Sequence, residues 1–210
     1  MNSVIRVILA DDHTLVREGL RQLLGATADI RVEGEAANGD EALALVKAND
    51  YDLAVLDMSM PGLSGIELIK RLRLEKPRLR LLVLSMHGEA QYAARALKAG
   101  AAGYLTKDSA SAQLVGAIRK VAAGGVHISE AAAAQLVGTP QTDASPHTRL
   151  SNREFEVFRL LVAGRGPTEI AEQLRLSVKT VSTHKTRIFE KMGMDSTADL
   201  VRYAVDKGLS

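Results

Sequence analysis

The chain has 210 residues, of which 46% are hydrophobic and 25% are charged, and its net charge is +2. This composition is typical of a folded protein of one or two domains and excludes disorder along the whole chain. The absence of cysteine excludes disulfides, thiolate metal sites and cysteine nucleophiles. No apolar run reaches about 18 residues and no signal-peptide pattern is present, so we expect a cytoplasmic protein without a membrane partner.

The first half of the sequence alternates short apolar runs with amphipathic segments, which predicts five strand–helix pairs. The predicted strands are 4–10, 30–36, 53–56, 81–84 and 103–105. The predicted helices are 14–25, 40–48, 66–74, 90–99 and 114–123. Apolar strands that alternate with helices indicate a parallel sheet covered on both faces. We expect an α/β domain over residues 1–124, a flavodoxin-like (βα)5 doubly wound parallel sheet with strand order 2-1-3-4-5.

A short helix and a linker are predicted over residues 125–149. Residues 130–137 have the composition of a short helix, whereas residues 138–149 are polar, contain two prolines and lack periodicity. From residue 150 to residue 210 only helices are predicted, which gives a small all-α domain of four helices. Their predicted ranges are 155–163, 168–174, 178–192 and 197–207. Three of them follow a serine that can cap the first turn: Ser151, Ser177 and Ser196.

Acidic residues follow two strands that are neighbours in the expected sheet. Asp11 and Asp12 follow the first strand and Asp57 follows the third. Because three carboxylates in one crevice repel one another, we expect a bound cation, and oxygen ligands suit Mg²⁺. Ser85 and Lys107 end the fourth and fifth strands, so a hydroxyl and an ammonium lie where they can stabilise a transferring phosphoryl group. Each residue alone is an ordinary turn or surface residue, but the coincidence of five such residues at four strand ends favours a site.

Four motifs in residues 4–124 resemble the receiver domain of bacterial response regulators. They are Asp-Asp-His at 11–13, Asp-Met-Ser-Met-Pro-Gly-Leu-Ser-Gly at 57–65, Leu-Ser-Met-His at 84–87 and Gly-Tyr-Leu-Thr-Lys-Asp at 103–108. The resemblance implies that a sensor histidine kinase phosphorylates Asp57. It implies that Mg²⁺ is bound by three carboxylates and one backbone carbonyl, those of Asp11, Asp12, Asp57 and Ser59. It also implies phosphoryl contacts from Ser85 and Lys107, and a switch formed by Ser85 and Tyr104.

Two details of these motifs limit the alternatives. A phosphatase with an aspartyl nucleophile is the competing reading of the acidic residues, but such enzymes need a second aspartate two residues after the first, and Ser59 stands there. Asp108 follows Lys107 where the wider family often has proline, so we expect no cis peptide bond at this position.

The segment 150–194 resembles the LuxR-type helix-turn-helix of the NarL/FixJ response regulators. The matching residues are Leu-Ser-Asn-Arg-Glu at 150–154, Leu-Val-Ala-Gly at 161–164, Glu-Ile-Ala at 169–171, Leu174, Leu-Ser-Val-Lys-Thr-Val at 176–181, His184, Ile188 and Lys-Met at 191–192. The departures are Gly-Pro-Thr at 166–168, Phe155 and Phe158, which do not belong to the expected DNA-binding face.

The DNA-binding face also follows from helical periodicity. Val181, Ile188 and Met192 form one apolar stripe, which we expect to be buried. Small polar and basic residues point away from it: Lys179, Ser182, Thr183, Thr186, Arg187 and Glu190. The resemblance assigns base contacts to Ser182, Thr183 and Thr186, and phosphate contacts to Lys179, Thr180 and Arg187. His184 and Lys185 lie nearer the buried side, and Lys185 is expected to extend to a phosphate.

Charge alone does not identify this face. Residues 1–130 have no net charge, whereas residues 131–210 have a net charge of +2. Five of the basic residues fall within 175–191, where the only acid is Glu190: Arg175, Lys179, Lys185, Arg187 and Lys191. Such a cluster is a nucleic-acid footprint or a solvated helix face, and without the flanking motif the second reading is favoured.

Together these observations predict a transcriptional regulator controlled by phosphorylation, with a receiver domain (1–124) and a helix-turn-helix domain (150–210). Its expected partners are a sensor histidine kinase, promoter DNA, a second copy of itself on DNA and, as a further candidate, RNA polymerase. Its only expected catalysis is its own aspartyl phosphorylation and dephosphorylation. The alternative is a signalling adaptor that acts by protein contact, which a salt-dependent gel shift on genomic fragments would distinguish.

Overall fold

The computed structural model describes residues 4–60, 62–63, 65–85, 90–129, 133 and 145–209. The chain divides into two compact units, Met1–Val137 and Gly138–Ser210. Within the described residues, no helix is both long enough and apolar enough to cross a membrane.

The first unit contains a five-stranded parallel sheet with strand order β2-β1-β3-β4-β5. The strands are β1 (Ile5–Ala10), β2 (Ile30–Ala36), β3 (Leu53–Asp57), β4 (Arg80–Ser85) and β5 (Gly103–Thr106). The helices are α1 (Thr14–Gly25), α2 (Gly39–Ala48), α3 (Gly65–Glu75), α4 (Ala90–Ala99) and α5 (Lys107–Ala122). The predicted fold class and strand order are confirmed.

Alternate residues of the strands enter two layers of the core. On one face, strand residues such as Val55 and Leu82 pack with Leu24 of α1 and Ile118 of α5. Strand residues on the other face of the sheet are equally buried, among them Ile8, Ala54, Leu56, Leu81 and Val83. All five residues of β3 are buried. This continuous burial explains why β3 has no alternation of polar and apolar residues and why its one polar residue, Asp57, is the last.

The fifth helix begins seven residues earlier than the sequence predicts. Residues 107–113 are mostly small or polar and carry no apolar periodicity, so the sequence indicated a helix only from residue 114. In the structure the Thr106 side chain accepts a hydrogen bond from the backbone N–H of Ser109 and caps a helix that starts at Lys107. Lys107 therefore belongs to the first turn of α5 rather than to the end of β5.

The second unit contains a 3-10 turn, Pro146–Arg149, followed by helices only. These are α6 (Asn152–Val162), α7 (Pro167–Leu174), α8 (Val178–Met192) and α9 (Thr197–Asp206). The predicted capping residues are confirmed at Ser151, Ser177 and Ser196, and Ser151 forms a capping box with Glu154. The core between the helices is made of large apolar side chains that include Phe155, Phe158, Val181, Ile188 and Leu200.

The end of the predicted linker is structured. Of the predicted 130–137 helix only Ala133 lies within the described residues, where it is helical; linker residues 138–144 also lie outside them. Pro146–Arg149, however, form the 3-10 turn of the second unit. His147 is buried there, and its Nδ1 lies 2.5 Å from the Tyr203 hydroxyl of α9. This long-range contact has no signature in the local sequence.

Candidate functional site

The register of the sheet brings the predicted strand-end residues to one edge. Ala10 pairs with Leu56, Asp57 pairs with Leu84, and Ser85 pairs with Thr106. The residues that follow these strands therefore emerge side by side at the carboxyl edge, where open α/β sheets bind ligands. Asp57 and Ser85 are the last residues of their strands, and Asp11 and Lys107 come directly after theirs.

Three carboxylates and one imidazole converge at this edge. Asp11, Asp12, His13 and Asp57 each offer one ligand atom, and these atoms all lie within 4.8 Å of one another. Asp11 and Asp57 are each 2% exposed, whereas the Asp12 side chain is 31% exposed. Two acids are thus held in the protein interior and one faces solvent, so the cluster is open on one side.

The ammonium group of Lys107 closes the inner side of the cluster. Its Nζ lies 2.6 Å from Oδ2 of Asp11 and 3.2 Å from Oδ2 of Asp57. Burial raises the pKa of the Asp57 carboxyl and the neighbouring Asp11 carboxylate adds to the rise, although Lys107 and the Ser59 backbone oppose it. Burial opposes charge on Lys107 too, but both carboxylates outweigh it and the pKa of its ammonium is raised. Lys107 therefore stays protonated beside the acids.

The donor set fits a hard divalent cation. Among the described residues, Oδ1 of Asp57 is buried and has no hydrogen-bond partner. Oδ2 of Asp11 and Oδ2 of Asp57 have the Lys107 ammonium as their charged partner. Buried polar atoms without hydrogen bonds call for an ion or water, and carboxylate oxygens with room for water on the open side suit Mg²⁺.

Two residues at this edge were not predicted from the sequence. Nδ1 of His13 lies 2.9 Å from Oδ1 of Asp12, and the His13 backbone N–H donates to Oδ1 of Asp11 at 2.9 Å. Arg17, one turn into α1, donates from Nη1 to the backbone carbonyl of Asp11 at 2.5 Å. The i, i+4 spacing of His13 and Arg17 across the start of a helix was the available signal, but such spacing is common in helices.

The predicted switch residues are both buried in the sheet. Ser85 is 0% exposed and Tyr104 is 7% exposed. Tyr104 lies in the middle of β5, where its backbone N–H donates to the carbonyl of His127 at 2.8 Å. Pro61 and Ser64 of the 57–65 motif and Met86 and His87 of the 84–87 motif lie outside the described residues.

Helix α8 presents the face that its periodicity predicts. Val181, Ile188 and Met192 are buried. Six residues are exposed on the other side: Lys179, Ser182, Thr183, Thr186, Arg187 and Glu190. Thr180, His184 and Lys185 are half-buried. The helix therefore carries an apolar side against the domain and, toward solvent, a side of small polar residues with two basic ones, which suits a major groove.

The hydroxyls on this face bond to their own helix. Ser182 donates to the carbonyl of Val178 at 3.0 Å, Thr183 donates to the carbonyl of Lys179 at 3.0 Å, and Thr186 donates to the carbonyl of Ser182 at 3.2 Å. In this arrangement the outward sides of the hydroxyls are acceptors. The hydroxyl proton is used within the helix, so an external partner would meet a lone pair or a methyl group.

His184 and Lys185, in the middle of α8, are half-buried. Nδ1 of His184 is buried with no hydrogen-bond partner among the described residues. Burial lowers the pKa of His184, and the charges of Arg153 and Arg187 lower it further despite Glu154. Nζ of Lys185 lies 5.5 Å from the ring centroid of Phe189, a cation–π distance.

An ion pair joins α8 to α6. Nζ of Lys191 lies 2.6 Å from Oε2 of Glu154, whose side chain is 4% exposed. The same Oε2 accepts the Ser151 backbone N–H at 2.7 Å. The acid that caps α6 thus also holds the end of α8, a role that the capping-box motif alone did not predict.

Both units match known protein families. Residues 7–119 match the response regulator receiver domain. Residues 148–204 match the bacterial regulatory proteins of the luxR family.

Similar proteins match this chain almost from end to end. "Response regulator UvrY" of Escherichia coli O157:H7 is 37% identical over 209 residues, which cover 98% of this chain and 96% of that protein. "Oxygen regulatory protein NreC" of Staphylococcus epidermidis is 37% identical over 215 residues, covering 98% and 99%. A solved structure of RcsB from Salmonella enterica serovar Typhimurium, bound to promoter rprA with phosphomimetic BeF3-, has a TM-score of 0.71, 28% identity and coverage of 96% and 98%.

Proposed function

Because the chain belongs to the two-component response regulators of the NarL/FixJ family, with a receiver domain and a LuxR-type DNA-binding domain, we propose that Asp57 is its phosphoacceptor. The observation that carries this proposal is the position of Asp57 at the end of β3. There its buried carboxylate lies 3.2 Å from the ammonium of Lys107 and within 4.8 Å of the ligand atoms of three further residues.

In the proposed reaction an oxygen of Asp57 attacks the phosphorus of a phosphohistidine on a sensor histidine kinase. The new bond between this oxygen and phosphorus makes an acyl phosphate. The bond between phosphorus and the imidazole nitrogen breaks, and the kinase histidine is the leaving group. The Lys107 ammonium and the Ser85 hydroxyl contact the phosphoryl oxygens and stabilise their charge. Hydrolysis of the acyl phosphate returns the carboxylate, and this self-directed chemistry is the only catalysis we propose.

We propose that Mg²⁺ is held by carboxylates of Asp11, Asp12 and Asp57 and by the backbone carbonyl of Ser59. When bound, the cation neutralises charge on the phosphoryl oxygens. The buried Oδ1 of Asp57, which has no hydrogen-bond partner among the described residues, supports this assignment. Ser59 lies two residues beyond Asp57, in the loop after β3, and its side chain is exposed.

Phosphorylation is proposed to shift a two-state equilibrium through Ser85 and Tyr104. A phosphoryl group at Asp57 adds acceptor oxygens next to the end of β4, where Ser85 has its hydroxyl. Tyr104 lies on the neighbouring strand β5, two residues before the partner of Ser85. A rearrangement of Ser85 would reach Tyr104 through the pairing of β4 with β5. Phosphorylation would thereby favour one of two discrete conformations of the domain.

The output is proposed to be binding of promoter DNA as a dimer, with α8 in the major groove. Ser182, Thr183 and Thr186 are proposed base contacts, and Lys179, Thr180 and Arg187 are proposed phosphate contacts. His184 and Lys185 are proposed to border the interface from the buried side. The exposure of the polar face of α8 supports this assignment. RNA polymerase remains an expectation from the resemblance.

The phosphoacceptor is tested by intact-mass measurement after incubation with Mg²⁺ and acetyl phosphate. One phosphoryl group adds about 80 Da, the formula mass of the modification. The wild-type protein should gain it, and the Asp57→Asn variant should not. Full and persistent labelling of Asp57→Asn would overturn the assignment of Asp57, and removal of Mg²⁺ should abolish labelling of the wild type.

A further inference from the structure

Arg17 links the acidic cluster to the edge of the sheet. Its guanidinium donates from Nη1 to the Asp11 carbonyl at 2.5 Å and from Nη2 to the Thr14 hydroxyl at 3.4 Å. Its Nε lies 3.8 Å from Oε2 of Glu35 on β2. The Arg17 side chain is only 14% exposed. A long, permanently charged side chain that is this buried and this well partnered has a fixed geometry.

The Asp11 peptide is held on both sides. Its N–H donates to the carbonyl of Ala36 on β2 at 3.1 Å, and its carbonyl accepts from Arg17. The Asp11 carboxylate is then free to point inward, where Oδ1 accepts the His13 N–H and Oδ2 pairs with Lys107. The Asp11 carbonyl and the Asp12 nitrogen belong to one planar peptide group, so the orientation of this carbonyl also fixes the position of the Asp12 backbone.

Glu35 offsets the charge that Arg17 brings. A guanidinium bonded to the backbone of the acidic loop would otherwise weaken the attraction of the cluster for a cation. Glu35 also pairs with Arg21, whose Nε lies 3.4 Å from Oε1. Arg21 is 56% exposed and has no described contact with Asp11. The two arginines therefore share Glu35, but only Arg17 also bonds to the backbone of Asp11.

We propose that Arg17 is a positioning residue for the magnesium site: with Glu35 it holds the Asp11 carbonyl, and thereby the Asp11 and Asp12 carboxylates, in the geometry that binds the cation. The proposal rests on the proposed function of the acidic cluster. Outer residues that orient metal ligands contribute about 10–100-fold to metal affinity or activity in other proteins, and Arg17 has that relation to Asp11.

The test compares four full-length proteins: the wild type, Arg17→Met, Arg17→Lys and Arg21→Met. Mg²⁺ alone is titrated while two-dimensional NMR follows the backbone amides of residues 11–13, and acetyl phosphate labelling is measured over the same Mg²⁺ range. Arg17→Met should raise the half-saturating Mg²⁺ concentration about 10-fold or more. Arg17→Lys, which keeps the charge with one donor group, should recover part of the loss. Arg21→Met should match the wild type within about twofold, because it removes only a surface ion pair.

A second measurement is independent of the metal. Without Mg²⁺, Arg17→Met should speed hydrogen exchange of the His13 amide, which donates to Asp11, while Arg21→Met should not. Wild-type Mg²⁺ dependence in Arg17→Met, or an equal loss in Arg21→Met, would overturn the inference. If the wild type is not labelled and binds no Mg²⁺, the proposed magnesium site fails; faster His13 exchange in Arg17→Met would then still support the loop-positioning role. If Arg17→Met does not fold, Glu35→Gln takes its place with the same expected direction.

Discussion

Lys191 and Glu154 form an ion pair at 2.6 Å that joins the end of α8 to the first turn of α6, 37 residues earlier in the chain. Burial works against the charge of Glu154, yet the pKa of this carboxyl is lowered, because Lys191 and the capping contacts at Ser151 outweigh burial. A folded-state pKa below the unfolded value means that the pair stabilises the fold above about pH 4.5 and that this contribution is lost as the pH falls further.

The first prediction follows from this pair. Glu154→Gln should lower the free energy of unfolding of the C-terminal unit by about 1.5–3 kcal/mol at pH 7, the range for hydrogen bonds to charged groups. The cost should shrink as the pH falls below about 4.5, because the unfolded wild-type chain then takes up a proton before the folded one does. Denaturant unfolding at several pH values measures both effects. Arg165→Met is the matched control, since its pair with Glu169 is more than half exposed and should be worth less than about 1 kcal/mol.

The second prediction concerns the phosphate contacts. Lys179→Ala and Arg187→Ala should weaken binding to all DNA sequences about equally and reduce the salt slope by about one per contact in each protomer. Titrations with specific and unrelated DNA at several salt concentrations provide the measurement. Arg202→Ala is the control, because Arg202 is exposed on α9 and pairs with Asp199. A change in sequence preference in Lys179→Ala would contradict its assignment to phosphate.

The third prediction concerns base reading by Thr183. Its hydroxyl proton is bound to the Lys179 carbonyl, so it offers a lone pair and a methyl group to the groove. Thr183→Ala should change the preferred base at one position per half-site at a cost of about 1–3 kcal/mol, and Thr183→Val should keep any preference that depends on methyl contact. Selection from random DNA libraries measures this. Half-sites should lie about ten base pairs apart. Unchanged affinity and preference in both variants would mean that the reading register of α8 is wrong.

The fourth prediction concerns His184 and pH. Burial lowers its pKa below the usual 6.5, with Arg153 and Arg187 acting in the same direction. The unfolded chain therefore binds the proton more tightly than the folded one. The C-terminal unit should lose stability as the pH falls below about 6.5, until the folded-state pKa is also passed. His184→Asn should flatten this dependence in thermal unfolding between pH 7 and pH 5, limits chosen to bracket the ordinary histidine pKa. An unchanged pH profile in the variant would show that another group is responsible.

The fifth prediction concerns the buried carboxylate of Asp57. Its Oδ1 has no hydrogen-bond partner among the described residues, and its Oδ2 shares the Lys107 ammonium with Asp11. Asp57→Asn removes a buried negative charge from a cluster of acids, so it should raise the midpoint of thermal unfolding in the absence of Mg²⁺. Added Mg²⁺ should stabilise the wild type and narrow the difference, because a ligand stabilises the state that binds it. Calorimetry of the full chain with and without Mg²⁺ tests both; a less stable Asp57→Asn in metal-free buffer would contradict the prediction.

Local patterns in the sequence were enough for the order of the elements and for the residues at the strand ends. Apolar runs that alternate with amphipathic segments specify a parallel sheet, and the carboxyl ends of parallel strands meet at one edge. The convergence of Asp11, Asp57 and Lys107 follows from that topology. The same holds for α8, whose buried stripe is a consequence of helical periodicity.

What only the tertiary structure decided depends on contacts between distant or weakly patterned residues. The start of α5 at Lys107 depends on the Thr106 cap, because residues 107–113 lack apolar periodicity. Pro146–Arg149 join the second unit through a contact between His147 and Tyr203, 56 residues apart. Arg17 looks like any polar residue of an exposed helix until β2 brings Glu35 beside it and β1 turns the Asp11 carbonyl toward it. Hydrogen bonds of this kind depend on which distant segments the fold brings together, and local sequence patterns do not predict them.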